Sequence, residues 1–130
     1  MPRYEKLDSW NACHALVLAV LRETDGIERE PLTVERLRYL ALRAAGKIAF
    51  GSGTGSRTML RRSAEMSAGW LTELAYDLDM AEVMGVISRE SRERLNALCG
   101  RAQFYVMKLV LPPELPPDAG PLPPEEEQGH

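Results

Sequence analysis

Residues 37–78 read LRYLALRAAGKIAFGSGTGSRTMLRRSAEMSAGWLTELAYDL, and the fold follows from how this stretch is divided. Leu37, Leu40, Ala41, Ala44, Ala45 and Ile48 fall at i, i+3, i+4, i+7, i+8 and i+11, one stripe of a helix of period 3.6. Ala44-Ala45-Gly46 leaves room for a neighbouring helix to approach closely. Thr33 is the expected N-cap, with Glu35 in the first turn at the positive end of the dipole. At Gly51-Ser52-Gly53-Thr54-Gly55 the stripe stops and glycines predict an elbow, after which Ser56 or Thr54 can cap a new helix. That helix is expected to run to about Met84 and stop at Gly85. Leu60, Ala64, Ser67, Leu71, Leu74, Leu78 and Ala81 alternate spacings of four and three, the seam of a helix in a bundle. Met59, Met66, Trp70, Met80 and Met84 form a second apolar stripe, interrupted by Glu73 and Asp77. One seam suffices for an intramolecular core, so the second predicts a contact with another subunit.

Working outward, a first helix is expected from Leu7 or Asp8 to Thr24 or Asp25, with apolar residues on more than one face. Residues 26–32 make a short connection, which favours antiparallel neighbours. Beyond Gly85, Ser88 caps a last helix whose buried stripe is Leu95, Leu98, Cys99, Ala102, Tyr105, Val106 and Leu109. It must end by Leu111, because Pro112-Pro113 cannot continue it. The expected fold class is all-α: an antiparallel up-down-up-down four-helix bundle over residues 1–111. Residues 112–130, PPELPPDAGPLPPEEEQGH, carry seven of the nine prolines and are expected to be an acidic, disordered, solvated tail.

A chain of 130 residues with 45% apolar and 27% charged residues describes one globular domain with a core of its own. The longest apolar run, Ala15 to Leu21, is too short to span a bilayer, and the charged N-terminus lacks the apolar segment of a signal peptide. Two cysteines, both in helical apolar patterns, predict a reduced, cytoplasmic setting with no membrane role. The net charge of −3 conceals segregation. Five of the 19 acids and none of the 16 basic residues lie in the tail, leaving a body of 16 basic against 14 acidic residues, about +2. From Arg36 to Arg62 there is no acid at all, while Arg36, Arg38, Arg43, Lys47, Arg57, Arg61 and Arg62 are basic. Of these, Arg36, Arg43, Lys47, Arg57, Arg61 and Arg62 are the candidate phosphate contacts to RNA or DNA, contacts that position without reading sequence. The alternative is that the same charges pair with acids between subunits.

No catalytic constellation stands out. A P-loop requires GxxxxGK[ST] after a strand; here the glycines follow a helix and Gly55 is followed by Ser56-Arg57. His14 has Asn11 three residues before it, so the ExxH pattern of bundle metal sites is missing. Cys13 and His14 are adjacent and diverge around a helix, so they do not converge on one ion. Both read as structural, as does Cys99. Glu73 and Asp77, at i and i+4, share a face beside Met and Trp and are expected to pair with arginines of a neighbour. No cofactor or metal is expected.

Tyr4-Glu5-Lys6-Leu7-Asp8-x-Trp10, the elbow Ile48-Ala49-x-Gly51-x-Gly53, Gly55-Ser56, and Gly69-x-Leu71-x-Glu73-Leu74 come in the order found in a known family. Over residues 4–110 the chain resembles the bacterial four-helix bundle proteins first noticed as products of 23S rRNA intervening sequences. These are related to the accessory proteins of diversity-generating retroelements. The resemblance implies a bundle that assembles into a ring of five subunits. In the retroelement relatives a basic surface contacts nucleic acid and the ring serves a reverse transcriptase. The family elbow commonly reads SIPSNIAEG; here Ala45, Lys47 and Phe50 replace its proline, asparagine and glutamate, so the roles of those residues do not carry over. The function expected from these readings is that of a non-enzymatic, homo-oligomeric adaptor, nucleic-acid-associated or, alternatively, a protein-interaction ring.

Overall fold

The structure, a computed structural model, describes residues 3–111. The expected tail, residues 112–130, lies outside them. A 3-10 turn at Tyr4–Lys6 leads into four α-helices: α1 (Asp8–Glu23), α2 (Pro31–Gly53), α3 (Arg57–Val83) and α4 (Arg89–Val110). Each helix packs against the two beside it, α1 on α2 and α4, α3 on α2 and α4, which makes a square bundle. Contacts between neighbours run in opposite senses along the chain, Ala44 meeting Ser67 while Arg36 meets Asp77, so the helices alternate up and down. The all-helical four-helix expectation holds among the described residues.

Most boundaries are set by local chemistry. Ser56 Oγ accepts from the Met59 amide at 3.2 Å, and Ser88 Oγ accepts from the Ser91 amide at 3.0 Å, each satisfying an orphan first-turn donor. α3 closes with a Schellman turn: Val86 N donates to Ala81 O at 2.8 Å and Gly85 N to Glu82 O at 2.9 Å, with Gly85 at φ +72°. Two expectations need correction. Thr33 is not the cap of α2; the helix begins two residues earlier, at Pro31, with Glu30 as N-cap. Proline lacks the amide that the first turn leaves unpaired and has φ already set for a helix, and that outweighs the Thr33 hydroxyl. The glycine cluster is also not one elbow, since α2 continues through Gly51 and Gly53. Only Gly55 turns left-handed, at φ +72°. Thr54 finishes the helix by donating from Oγ1 to Gly51 O at 2.7 Å and accepting from the Ser56 amide at 3.2 Å.

The core is the seam expected from periodicity. Leu16 and Val20 of α1, Leu37 and Ile48 of α2, Leu71, Leu74 and Leu78 of α3, and Leu95 and Val106 of α4 are fully buried. Each such aliphatic side chain stabilises the fold by about 1.5–3 kcal/mol relative to exposure. Buried polar groups sew helices together. Thr24 Oγ1 donates to Val20 O at 2.7 Å and accepts from Arg38 Nε at 2.9 Å. Arg38 Nη2 also donates to Thr24 O at 3.2 Å, so a cation of α2 closes the negative end of α1. Ser67 Oγ of α3 donates to Ala44 O of α2 at 2.8 Å.

The end of α1 is tied to the start of α4 through Glu23. Its carboxylate accepts from Arg94 Nε and Nη2 at 2.7 and 2.8 Å and from Ser91 Oγ at 2.7 Å. These hydrogen bonds, Arg94's first, hold the Glu23 carboxyl down at about 2. A depressed folded-state pKa contributes stability above the ordinary carboxylate range that is lost as pH falls toward 2. Arg94 is itself largely exposed, so solvent screening limits the contribution to about 1 kcal/mol. Glu23→Gln is therefore expected to lower the melting temperature by several degrees at pH 7, on the order of 4–8 °C per kcal/mol for a domain this size. The difference from the parent should shrink steadily between pH 4.5 and pH 2.5 in calorimetry. A deficit independent of pH would mean the tie is steric rather than ionic.

Candidate functional site

The six candidate cations of the acid-free run are not equally free. Arg36 on α2 faces α3, its Nη2 3.2 Å from Glu73 Oε1 and its Nε bonded to Asp77. The hydrogen bond that Arg36 donates to Asp77, then the charge of Asp77 and of Glu73, raise the Arg36 pKa further. Glu73 and Asp77 thus pair with an arginine of the same chain. Two turns along, the Arg43 guanidinium lies 4.5 Å from the Trp70 ring and 5.7 Å from that of Tyr39. Lys47 Nζ lies 4.7 Å from the Phe50 ring. These three cations are engaged with carboxylates or π faces of their own chain.

Arg57, Arg61 and Arg62 lie on the first turns of α3 and are exposed. Arg61 reaches Glu65 at 3.8 Å along its own helix. The end of α4 comes alongside and brings Lys108, so Arg57, Arg61 and Lys108 rim a groove of about 370 Å³ floored by Leu60, Leu109 and Leu111. Lys108 Nζ also sits 4.5 Å from the Phe104 ring and 5.4 Å from that of Tyr105, and Arg101 covers Tyr105 from 5.3 Å. Lys108 escaped the sequence reading because only the antiparallel return of α4 places it beside α3.

The second stripe of α3 is exposed in large part. Met66 is 45%, Met80 36% and Met84 40% accessible, while Met59 and Trp70 are half-buried. The sequence reading missed a matching stripe on the outer side of α2: Leu32, Tyr39, Leu42 and Phe50 are each more than half accessible. Their spacing of 7, 3 and 8 residues follows helical periodicity, so the signal was available beside the core stripe. The two stripes join where Arg43 bridges Tyr39 of α2 and Trp70 of α3. The result is a continuous apolar and cation–aromatic face across α2 and the adjoining edge of α3.

The remaining chemistry-bearing side chains are packed away. His14 stacks on Trp10 with ring centroids 4.6 Å apart and planes at 12°, and Tyr4 leans on the same indole. Cys13 and Cys99 are buried free thiols, and Cys99 Sγ is 3.3 Å from Leu71 O. Burial pushes Cys13 up to about 12 and Cys99 up to about 11. Among the described residues no three His, Cys, Asp or Glu side chains converge to hold a metal ion, and no helix is long and apolar enough to cross a membrane. The sequence matches no protein-family model and no curated protein.

Proposed function

We propose that this chain is a non-enzymatic four-helix adaptor of the cytoplasm that assembles with copies of itself through the outer face of α2 and the adjoining edge of α3. The observation that carries this reading is the stripe of Leu32, Tyr39, Leu42, Phe50 and Met66, large apolar side chains left at the surface after the core is complete, joined by the half-buried Trp70. Aromatic, Met and Arg side chains in this mixture are typical of interface centres. The resemblance to the 23S rRNA intervening-sequence proteins supports the same reading and sets five as the expected number of subunits.

Light scattering tests it. Leu42→Glu and Trp70→Glu should each shift the native mass toward a single chain while far-ultraviolet circular dichroism keeps its helical signal. A parent protein already monomeric at micromolar concentration, or an unchanged mass in both variants, would sink the assembly reading.

A second reading rests on the exposed cations at one end of the bundle, Arg57, Arg61, Arg62 and Lys108, as phosphate contacts to RNA or DNA. Four phosphate contacts predict affinity for duplex DNA falling by about 150-fold between 50 and 200 mM salt. Arg57→Glu/Arg61→Glu/Arg62→Glu should abolish it. Absence of binding at the lowest salt would leave these residues to a protein partner, with a reverse transcriptase as the partner class the resemblance implies.

A further inference from the structure

We propose that the groove between the first turn of α3 and the last turn of α4 is the docking site of the chain's own acidic segment, residues 112–130. Leu111, which ends α4 in an extended conformation at φ −65° and ψ 143°, is itself part of the groove wall. The segment therefore starts at its binding site. Three residues of chain span at most about 11 Å, so the Glu114 backbone cannot leave the neighbourhood of Arg57, Arg61 and Lys108 whatever path it takes. That distance is comparable to the screening length of about 8–10 Å at physiological salt, so attraction acts on it throughout.

Charge and shape agree with this occupant. The segment carries Glu114, Asp118, Glu125, Glu126 and Glu127 and no Lys or Arg. The groove presents three cations, of which Arg61 meets a carboxylate only at 3.8 Å. Asp8 lies beyond Lys108 on an adjoining depression and leaves the α3 side of the groove to be neutralised. Between the cations, Leu60, Leu109 and Leu111 offer an apolar floor for Leu115 and the prolines, the side chains a proline-rich peptide uses against such surfaces. Tethering gives the segment an effective concentration in the millimolar range, so a contact too weak to form between molecules is populated within one. The docked segment covers cations that would otherwise meet any other polyanion.

Paramagnetic relaxation in the full-length chain tests this without reference to nucleic acid. A nitroxide is placed through Ala119→Cys; Cys13 and Cys99 are buried with raised pKa values and do not compete for the label. At low salt the amides of residues 57–61 should broaden at least about three-fold more than in a variant with all five tail acids changed to amides, and about 0.5 M salt should erase that excess, as screening requires. Arg57→Gln/Arg61→Gln should remove the same excess from the opposite side, with the core spectrum unchanged. Equal broadening in parent and amide variant, or broadening indifferent to salt, overturns the proposal. So does an effect that passes only between labelled and isotope-enriched molecules in a mixture, which would make the occupant a second copy's tail.

Discussion

Gly51→Ala is expected to destabilise the folded chain by about 2 kcal/mol, overpacking at the severe end offset by alanine's better helix propensity. Gly51 lies inside α2 where it packs tightly against α3. A Cβ there would fall 2.7 Å from both Cβ and Oγ of Ser63 and 3.0 Å from the Leu60 Cα. The Ser63 hydroxyl can rotate away, but its Cβ and the Leu60 backbone cannot, so the helices must separate. Gly51→Val should cost more. Gly53, two residues on, has open space where a Cβ would go and helical backbone, so Gly53→Ala should be neutral or stabilising by up to about 1 kcal/mol. Gly55→Ala should cost about 1 kcal/mol through its positive φ alone. Urea denaturation of the three variants separates these mechanisms. The double variant Gly51→Ala/Ser63→Gly should recover part of the loss, because one of the two obstacles is gone. Equal effects at positions 51 and 53 would refute the close-approach account.

The same three glycines show how far the sequence could be read. Their cluster announces a break between two apolar stripes, and a break is there. But which glycine turns the chain and which admits a neighbour depends on what lies across from each, and Ser63 is placed opposite Gly51 only by the packing of α3 on α2. Elements with a strong local signal came out within a residue or two: Ser56 and Ser88 as caps, Gly85 as the stop of α3. At the start of α2 two local signals competed, and Pro31 prevailed over Thr33. The candidate site was less accessible for a related reason. A run of cations without acids looks free in one dimension, yet the carboxylate Asp77 that holds Arg36 lies 41 residues away along the chain. Lys108 joins Arg57 and Arg61 in the same way, across the bundle. The outer stripe of α2 was legible from its spacing, but it was hidden by the stronger core stripe on the same helix.

Neither cysteine is expected to react with an aromatic disulfide reagent at pH 8 unless the bundle opens. With the Cys13 thiol pushed up to about 12 and Cys99 up to about 11, chiefly by burial, their thiolate fractions at pH 8 are about 10⁻⁴ and 10⁻³, against roughly a quarter for an ordinary thiol. Exposure compounds this, since Cys13 is 0% and Cys99 1% accessible, and a reagent cannot reach either sulfur in place. Labelling therefore counts openings. Leu74→Ala removes a fully buried side chain from the centre of α3 and should cost about 3 kcal/mol. When opening is in equilibrium before reaction, that cost raises the labelling rate by about 100-fold. If both thiols accelerate together, the four helices open as one unit; faster labelling of Cys99 alone would locate a weaker unit at α4. Labelling of the native parent within tenfold of the urea-unfolded chain would contradict the buried, inert assignment. It would also return both thiols to consideration as reactive groups, because only the packing of α1 and α4 around them argues against such a role.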